Sequence, residues 1–360
     1  MSEFKPGLEG VVAFETEIAE PDRDGGALRY RGVDIEDLVG IVPFEEVWGL
    51  LVDNAPKPGL QPAQRYVASD LTGDAPADLQ AVTAHLSGEW GLGKLIDISD
   101  EEARGDLARL SATMISVVAQ SARLADGEST AVDPELVASG ATAATRFLLE
   151  WRGEADPKHV KAIDTYWICT AEHGLNASTF AARVVASTGA DCAASLSSAV
   201  GALSGPLHGG APARVLPMLD GAAASDSIED YVTDLLDGGG RLMGFGHRVY
   251  RAEDPRSRLL RGTAMDLGSA RFDVAEELER AALAELHRRK PDRVLATNVE
   301  FWSAVVLDVA DVPPSLAPAM FACSRTAGWS AHILEQKRLA RLGRPSAIYV
   351  GPGPRSLGGS

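Results

Sequence analysis

The chain has 360 residues, 45% hydrophobic and 24% charged, the composition of a globular protein able to bury a large core. Its 34 Lys and Arg stand against 51 Asp and Glu, a net charge of −17, which excludes a general nucleic-acid surface built on clustered positive charge. Anionic small molecules stay open, because a few local arginines dominate the field inside a buried pocket.

Residues 1–6 contain no apolar stretch of a signal peptide, and no apolar run reaches the roughly 18 residues of a membrane helix. A cytoplasmic protein without membrane contact is expected, so the sequon Asn176-Ala177-Ser178 stays unglycosylated. Short strands are expected near residues 11–17 and 28–31. Phe44, Val47, Trp48 and Leu51 then fall at helical spacing after Pro43. Residues 53–77, rich in Pro, Gly and Asp, read as a linker between helices. Leu107, Leu110, Met114, Val117 and Val118 continue one apolar stripe. Ile228, Tyr231, Val232 and Leu235 form another, opened by Ser227 and closed at Gly238. Gly238-Gly239-Gly240 reads as a hinge or a plain helix terminator. Val274, Leu278, Ala282 and Leu286 make a fourth stripe, with Asp273 as the expected cap and Pro291 as the stop. Alternation of period two is scarce, so the fold class is mostly α. No internal repeat is visible, and residues 351–360 read as a loose tail. Cys169, Cys192 and Cys323 are widely spaced without C-x-x-C, which reads as reduced, buried thiols and no metal site.

Gly88 to Leu95 nearly spells a phosphate loop, but Leu95 stands where a Mg²⁺-binding hydroxyl belongs. Neither G-x-G-x-x-G nor G-x-S-x-G occurs. Three of the seven histidines sit among Gly or Asn: His173 in Glu-His-Gly-Leu-Asn, His208 in Gly-Pro-Leu-His-Gly-Gly, and His247 in Gly-Phe-Gly-His-Arg. Glycine lets backbone and ligand approach closely, and imidazole donates, accepts or carries charge near neutral pH. His208 reads as the start of a helix, where the neutral ring is favoured and can donate to a carbonyl. His247 and Arg256 read either as a solvated charged loop or as a pair converging on one carboxylate. Glu300, among apolar and aromatic neighbours, is a general base if burial raises its pKa, and otherwise a cap or an ion pair. Arg325 lies in an apolar helical stretch and needs an anion, either an acid such as Glu335 or a substrate. His332 and Glu335 read equally well as structural helix residues.

Taken in order, these motifs resemble the citrate synthase family along nearly the whole chain. The likeness starts at Gly7–Val11 and Leu28–Ile35. It runs through Glu172–Thr179, Gly205–Gly210, Gly244–Tyr250 and Asp254–Arg256, and ends at Gly328–Gln336 with Arg344-Pro345. The resemblance implies a mostly helical, two-domain homodimer with the active-site cleft between its domains. Residues 1–210 with 315–360 would form the large domain, and 211–314 the small, CoA-side domain. His173, His247, Arg256 and Arg325 would hold oxaloacetate, with Arg344 reaching a neighbouring subunit's site. His247 would polarise the ketone, His208 would stabilise the enol of acetyl-CoA, and Glu300 would take the methyl proton. Arg251 is the implied contact for CoA phosphate. No tightly bound cofactor is implied; acetyl-CoA is a co-substrate. The family usually has Asp at position 300 and Gly-Gly-Ala-Asn-Glu after the catalytic histidine, where this chain has Glu300 and Gly210-Ala211-Pro212-Ala213-Arg214. A 2-methylcitrate synthase using propionyl-CoA, or a non-catalytic paralogue binding oxaloacetate or CoA, are the alternatives. The chain shows no N-terminal extension of the larger NADH-regulated forms, so the resemblance implies a dimer without that control.

Overall fold

The computed structural model describes residues 4–8, 10–22, 26–63, 66–209, 214–246, 253–292 and 295–355. Among these it forms fourteen α-helices and one three-stranded antiparallel sheet, as the scarcity of alternating patterns predicts. The sheet is β1 (Ala19–Pro21), β2 (Leu28–Tyr30) and β3 (Val33–Asp34), with Ala19 opposite Tyr30 and Tyr30 opposite Val33. The strand expected at 11–17 does not form. Most of that segment is exposed and pairing begins only where β2 lies alongside.

Helix α1 (Phe44–Asp53) and the linker up to α2 (Ala75–Glu89) follow the sequence expectation. Helix α3 (Asp100–Ala125) opens on a capping box in which Ser99 and Glu102 satisfy each other's backbone N–H. Then come α4 (Pro134–Ala138), α5 (Ala143–Arg152), α6 (Pro157–Thr170), α7 (Ala177–Ser187) and α8 (Cys192–Leu203). Asp or Asn side chains cap α4, α6, α7 and α8, and Thr142 caps α5.

Helices α9 (Val215–Ala223), α10 (Ile228–Asp237), α11 (Pro255–Asp266), α12 (Phe272–Arg289) and α13 (Val299–Val309) follow. Ser227 caps α10 as expected, and Gly238 ends it with Gly239 at φ 77°, so the glycine run is a terminator. Asp273 is not the cap of α12. Arg271 occupies that position, and Asp273 sits inside the first turn, where a carboxylate still favours the helix dipole.

Helix α14 (Ala317–Leu339) is the axis of the molecule, packed against α1, α3, α6, α7 and α8. It is buried on every side from Ala319 to Leu334, so it shows no amphipathic stripe. Trp329 on this helix and Trp167 on α6 are fully buried. Cys169, Cys192 and Cys323 are free and buried, as expected. No helix of the described residues is long and apolar enough to cross a membrane.

Candidate active site

The site is built where α11, α13 and α14 all pack against α6. Residues 244–246 run beside 296–298: Phe245 bridges Thr297, Gly246 N–H donates to Ala296 O at 2.8 Å, and Asn298 N–H to Gly244 O at 2.9 Å. Gly244 is in the left-handed region at φ 86°, and a Cβ there would stand 2.6 Å from Phe301 Cβ, so no larger residue fits. Asn298 caps α13 by accepting from Glu300 N–H at 3.0 Å. Glu300 is therefore not the cap, and among the described residues no ion pair holds its carboxyl. Partly buried, it is pushed up to about 7 by desolvation; Arg256 pulls the value down and Asp254 pushes it up.

Asp254 ties these two helix starts together. Its carboxylate caps α11 through Arg256 N–H (3.1 Å) and accepts Val299 N–H of α13 (3.1 Å). The same carboxylate grips the Arg256 guanidinium at both prongs, Nε to Oδ1 at 2.9 Å and Nη2 to Oδ2 at 2.7 Å. Arg256 is thus fixed in plane and depth, both residues being buried. Asp254 was not singled out from the sequence, although an Asp directly before Pro255 at a helix start is a capping signature.

Arg325 projects from the centre of α14 and is 3% exposed. Its Nε donates to Thr170 O at 2.7 Å, and its guanidinium lies 4.7 Å from the Phe321 ring centre. Nη1 has no hydrogen-bond partner among the described residues. Glu335 is not its counter-ion, since that carboxylate pairs with Arg183. Burial lowers the Arg325 pKa, offset by the charge of Glu172 and reinforced by Arg256. Two buried guanidiniums that repel each other, one with an unsatisfied donor, make a receptor for an anion.

His208 differs from its expected setting. It lies in the turn after α8, its N–H bonded to Gly205 O at 3.0 Å, and not at a helix start. Its ring is nevertheless kept neutral: burial and the charge of Arg325 bring its pKa down to about 4. The ring packs edge-on to Phe321, which thereby touches both His208 and Arg325. Ser178 Oγ stands 2.9 Å from His208 Nε2, 2.8 Å from Asn176 Oδ1 and 3.2 Å from Trp329 Nε1. The indole only donates, so the single Ser178 proton serves either Asn176 or His208. When it goes to His208 Nε2, the ring proton sits on Nδ1 as a donor.

His173 lies on the loop between α6 and α7, partly buried, before Gly174 in the left-handed region. Arg344 is exposed on the extended segment after α14, beyond Gly343, whose N–H is held by Ser187 Oγ at 2.9 Å. His247 and Arg251 lie outside the described residues. An apolar cavity of about 410 Å³ bounded by α3, α4 and α5 contains none of these side chains.

The family model "Citrate synthase, C-terminal domain" matches residues 7–346. The chain is 60% identical over 354 residues to "Putative citrate synthase 2" of Mycobacterium tuberculosis, covering 98% of this chain and 94% of the relative. It is 38% identical to "Citrate synthase" of Haloferax volcanii, covering 97% and 96%. It is 32% identical to "2-methylcitrate synthase" of Shewanella oneidensis, covering 98% and 96%. Among solved structures it superposes with TM-score 0.87 and 27% identity on citrate synthase from Thermoplasma acidophilum in ternary complex with carboxymethyl coenzyme A and oxaloacetate, covering 99% of this chain and 98% of that one. Fold and matches define an acyl-transferring enzyme. More narrowly, the chain belongs to the citrate synthase family.

Proposed function

We propose that the protein condenses acetyl-CoA with oxaloacetate and hydrolyses the resulting citryl-CoA to citrate and CoA. The observation that carries this reading is the unsatisfied, buried Arg325 beside a neutral His208, with Glu300 titrating near 7 across the site. Arg256 and Arg325 receive the oxaloacetate carboxylates, together with His173 and His247. Arg344 of a second copy completes the pocket in a homodimer. Glu300 takes a proton from the acyl methyl. His208 Nδ1–H, with Ser178 donating to Nε2, stabilises the enolic oxygen of the thioester. The new carbon nucleophile attacks the ketone, whose oxygen His247 polarises. Water then cleaves the thioester and releases the CoA thiol. Arg251 meets CoA phosphate, and the unit 211–314 closes the cleft over both substrates. The ligands of the archaeal neighbour support this pairing of substrates.

Propionyl-CoA is the second reading, favoured by the similarity to a 2-methylcitrate synthase. One methylene changes discrimination by about 1–3 kcal/mol, so the acyl preference is a measured ratio of kcat/KM for the two thioesters. Acetyl-CoA is expected to give the higher value, and a higher value with propionyl-CoA overturns that choice.

Two further results are expected. The acid limb of kcat/KM falls near pH 7, activity rising as Glu300 ionises. His208, at about 4, contributes no limb above pH 5. A pH profile from 5 to 9 checks this, and a flat profile contradicts it. Glu300→Asp withdraws the carboxyl by about an ångström, a misplacement that costs up to about 10²-fold in rate. Steady-state turnover of Glu300→Asp beside wild type measures it. An active variant beside an inert wild type that binds both ligands favours the non-catalytic reading.

A further inference from the structure

Behind the site lies a buried polar chain that the proposed reaction does not use. Glu172 is fully buried, and neither carboxyl oxygen has a hydrogen-bond partner among the described residues. Its backbone is pinned by Tyr30, whose hydroxyl accepts from Glu172 N–H at 3.3 Å and shares its one proton among the carbonyls of Ile168 at 3.0 Å, Glu172 at 3.2 Å and Cys169 at 3.4 Å. The side chain lies on α14 over Gly328. A Cβ at Gly328 would overlap Glu172 Oε2 and stand 2.6 Å from Ala171 O, so α14 is bare there to admit this carboxyl. Arg325 and His332 stand one turn to either side of Gly328 on the same face.

His332, also buried, shows which way the chain is polarised. Arg183 Nη1 lies 3.0 Å from His332 Nδ1, and a guanidinium only donates. Nδ1 therefore accepts, and in the neutral ring the proton is on Nε2, which stands 3.4 Å from Glu172 Oε1 although neither atom has a hydrogen-bond partner among the described residues. Arg183 is itself held by Glu335 and by Gln336 Oε1 at 3.0 Å. Glu335 also accepts from Glu17 N–H at 3.0 Å. The chain thus runs from the outer surface of α14 inward to Glu172, whose charge Arg325 feels.

We propose that Glu172 is a positioning residue. Seated over Gly328 between Arg325 and His332, it biases the Arg325 guanidinium through its charge, and the loop carrying His173 through its backbone, towards the arrangement that receives the 2-oxo acid. This rests on the reading of the site as an oxaloacetate receptor. Glu172 touches no substrate, so its loss acts on oxaloacetate binding and spares the acyl-CoA side and the chemical step.

The test compares Glu172→Gln and Glu172→Asp with His332→Asn and His332→Gln. Glu172→Gln is expected to raise KM for oxaloacetate by about 10-fold or more, with kcat and KM for acetyl-CoA within about 3-fold. Glu172→Asp, which keeps the charge, recovers part of that loss. His332→Asn keeps an acceptor for Arg183 but no donor towards Glu172, and raises KM for oxaloacetate more than His332→Gln, which keeps the donor. Unchanged KM for oxaloacetate in Glu172→Gln and His332→Asn overturns the proposal. So does a loss of kcat and a rise of both KM values together with a fall in Tm, the mark of a merely structural role. If the Glu172 variants do not fold, the order of the two His332 variants decides. If wild type turns over neither thioester, the proposed function fails instead, and Kd for oxaloacetate by calorimetry replaces KM in the same comparison.

Discussion

Glu300→Gln is expected to lower turnover by roughly 10³-fold, within the range for loss of a general base, while raising stability at pH 8. The two effects share one cause. Desolvation lifts the Glu300 carboxyl from 4.5 to about 7 in the folded chain. Below pH 4.5 it is neutral in both folded and unfolded states, and its environment costs nothing. As pH rises through 7 the folded chain must hold an ionised, poorly solvated carboxylate, while the unfolded chain holds a hydrated one. The gap between 4.5 and about 7 corresponds to about 3 kcal/mol against folding at pH 8. Gln fills the same space without the charge. Its advantage in denaturant unfolding should be present at pH 8 and absent at pH 4.5. A variant that loses turnover and also loses stability at pH 8 places Glu300 in a structural role.

His208→Ala is expected to lower kcat by roughly 10²- to 10³-fold, the loss seen when one donor to a developing oxyanion is removed. KM for oxaloacetate should change little, because the proposed reaction assigns the carboxylates to Arg256 and Arg325 on other elements. Ser178→Ala should move kcat in the same direction by less, since it removes the proton that directs the ring tautomer but leaves the ring. Stability gives an independent signature. The folded value of about 4 lies below the ordinary 6.5, so His208 costs stability as pH falls from 6.5 through 4. The Ala variant should be less acid-sensitive over that window. Steady-state kinetics at pH 8 and unfolding at pH 5 check both. Wild-type kcat in His208→Ala removes the imidazole from the chemistry.

The local parts of this molecule were legible in the sequence. Ser227 and Pro43 marked helix starts, and the stripes of α1, α3, α10 and α12 carried the period of a helix with one buried face. His173 and His208 were singled out by their glycine settings, and Arg256 and Arg325 by their surroundings and the family resemblance; the structure places Arg256, Arg325 and His208 in buried or partly buried settings. Three things were not. Helix α14 is buried all round, so its apolar pattern has no direction to read. The setting of His208 depends on where the chain goes after α8. A neutral ring was expected from a helix dipole and is produced instead by burial and Arg325. The partners of Arg325 and Glu172 are fixed by packing between segments about 150 residues apart, which no local window contains. Glu335, the acid nearest to Arg325 in sequence, is taken by Arg183.

The central claim is that one site joins an activated acyl methyl to a bound 2-oxo dicarboxylate. CoA thiol release from acetyl-CoA, with and without oxaloacetate and with citrate measured alongside, tests it most directly. CoA should appear only when oxaloacetate is present, in equal amount to citrate, and fall by roughly 10²-fold or more in His208→Ala and Glu300→Gln. Binding of both ligands by the wild-type protein without CoA release, or release that ignores oxaloacetate, would contradict it.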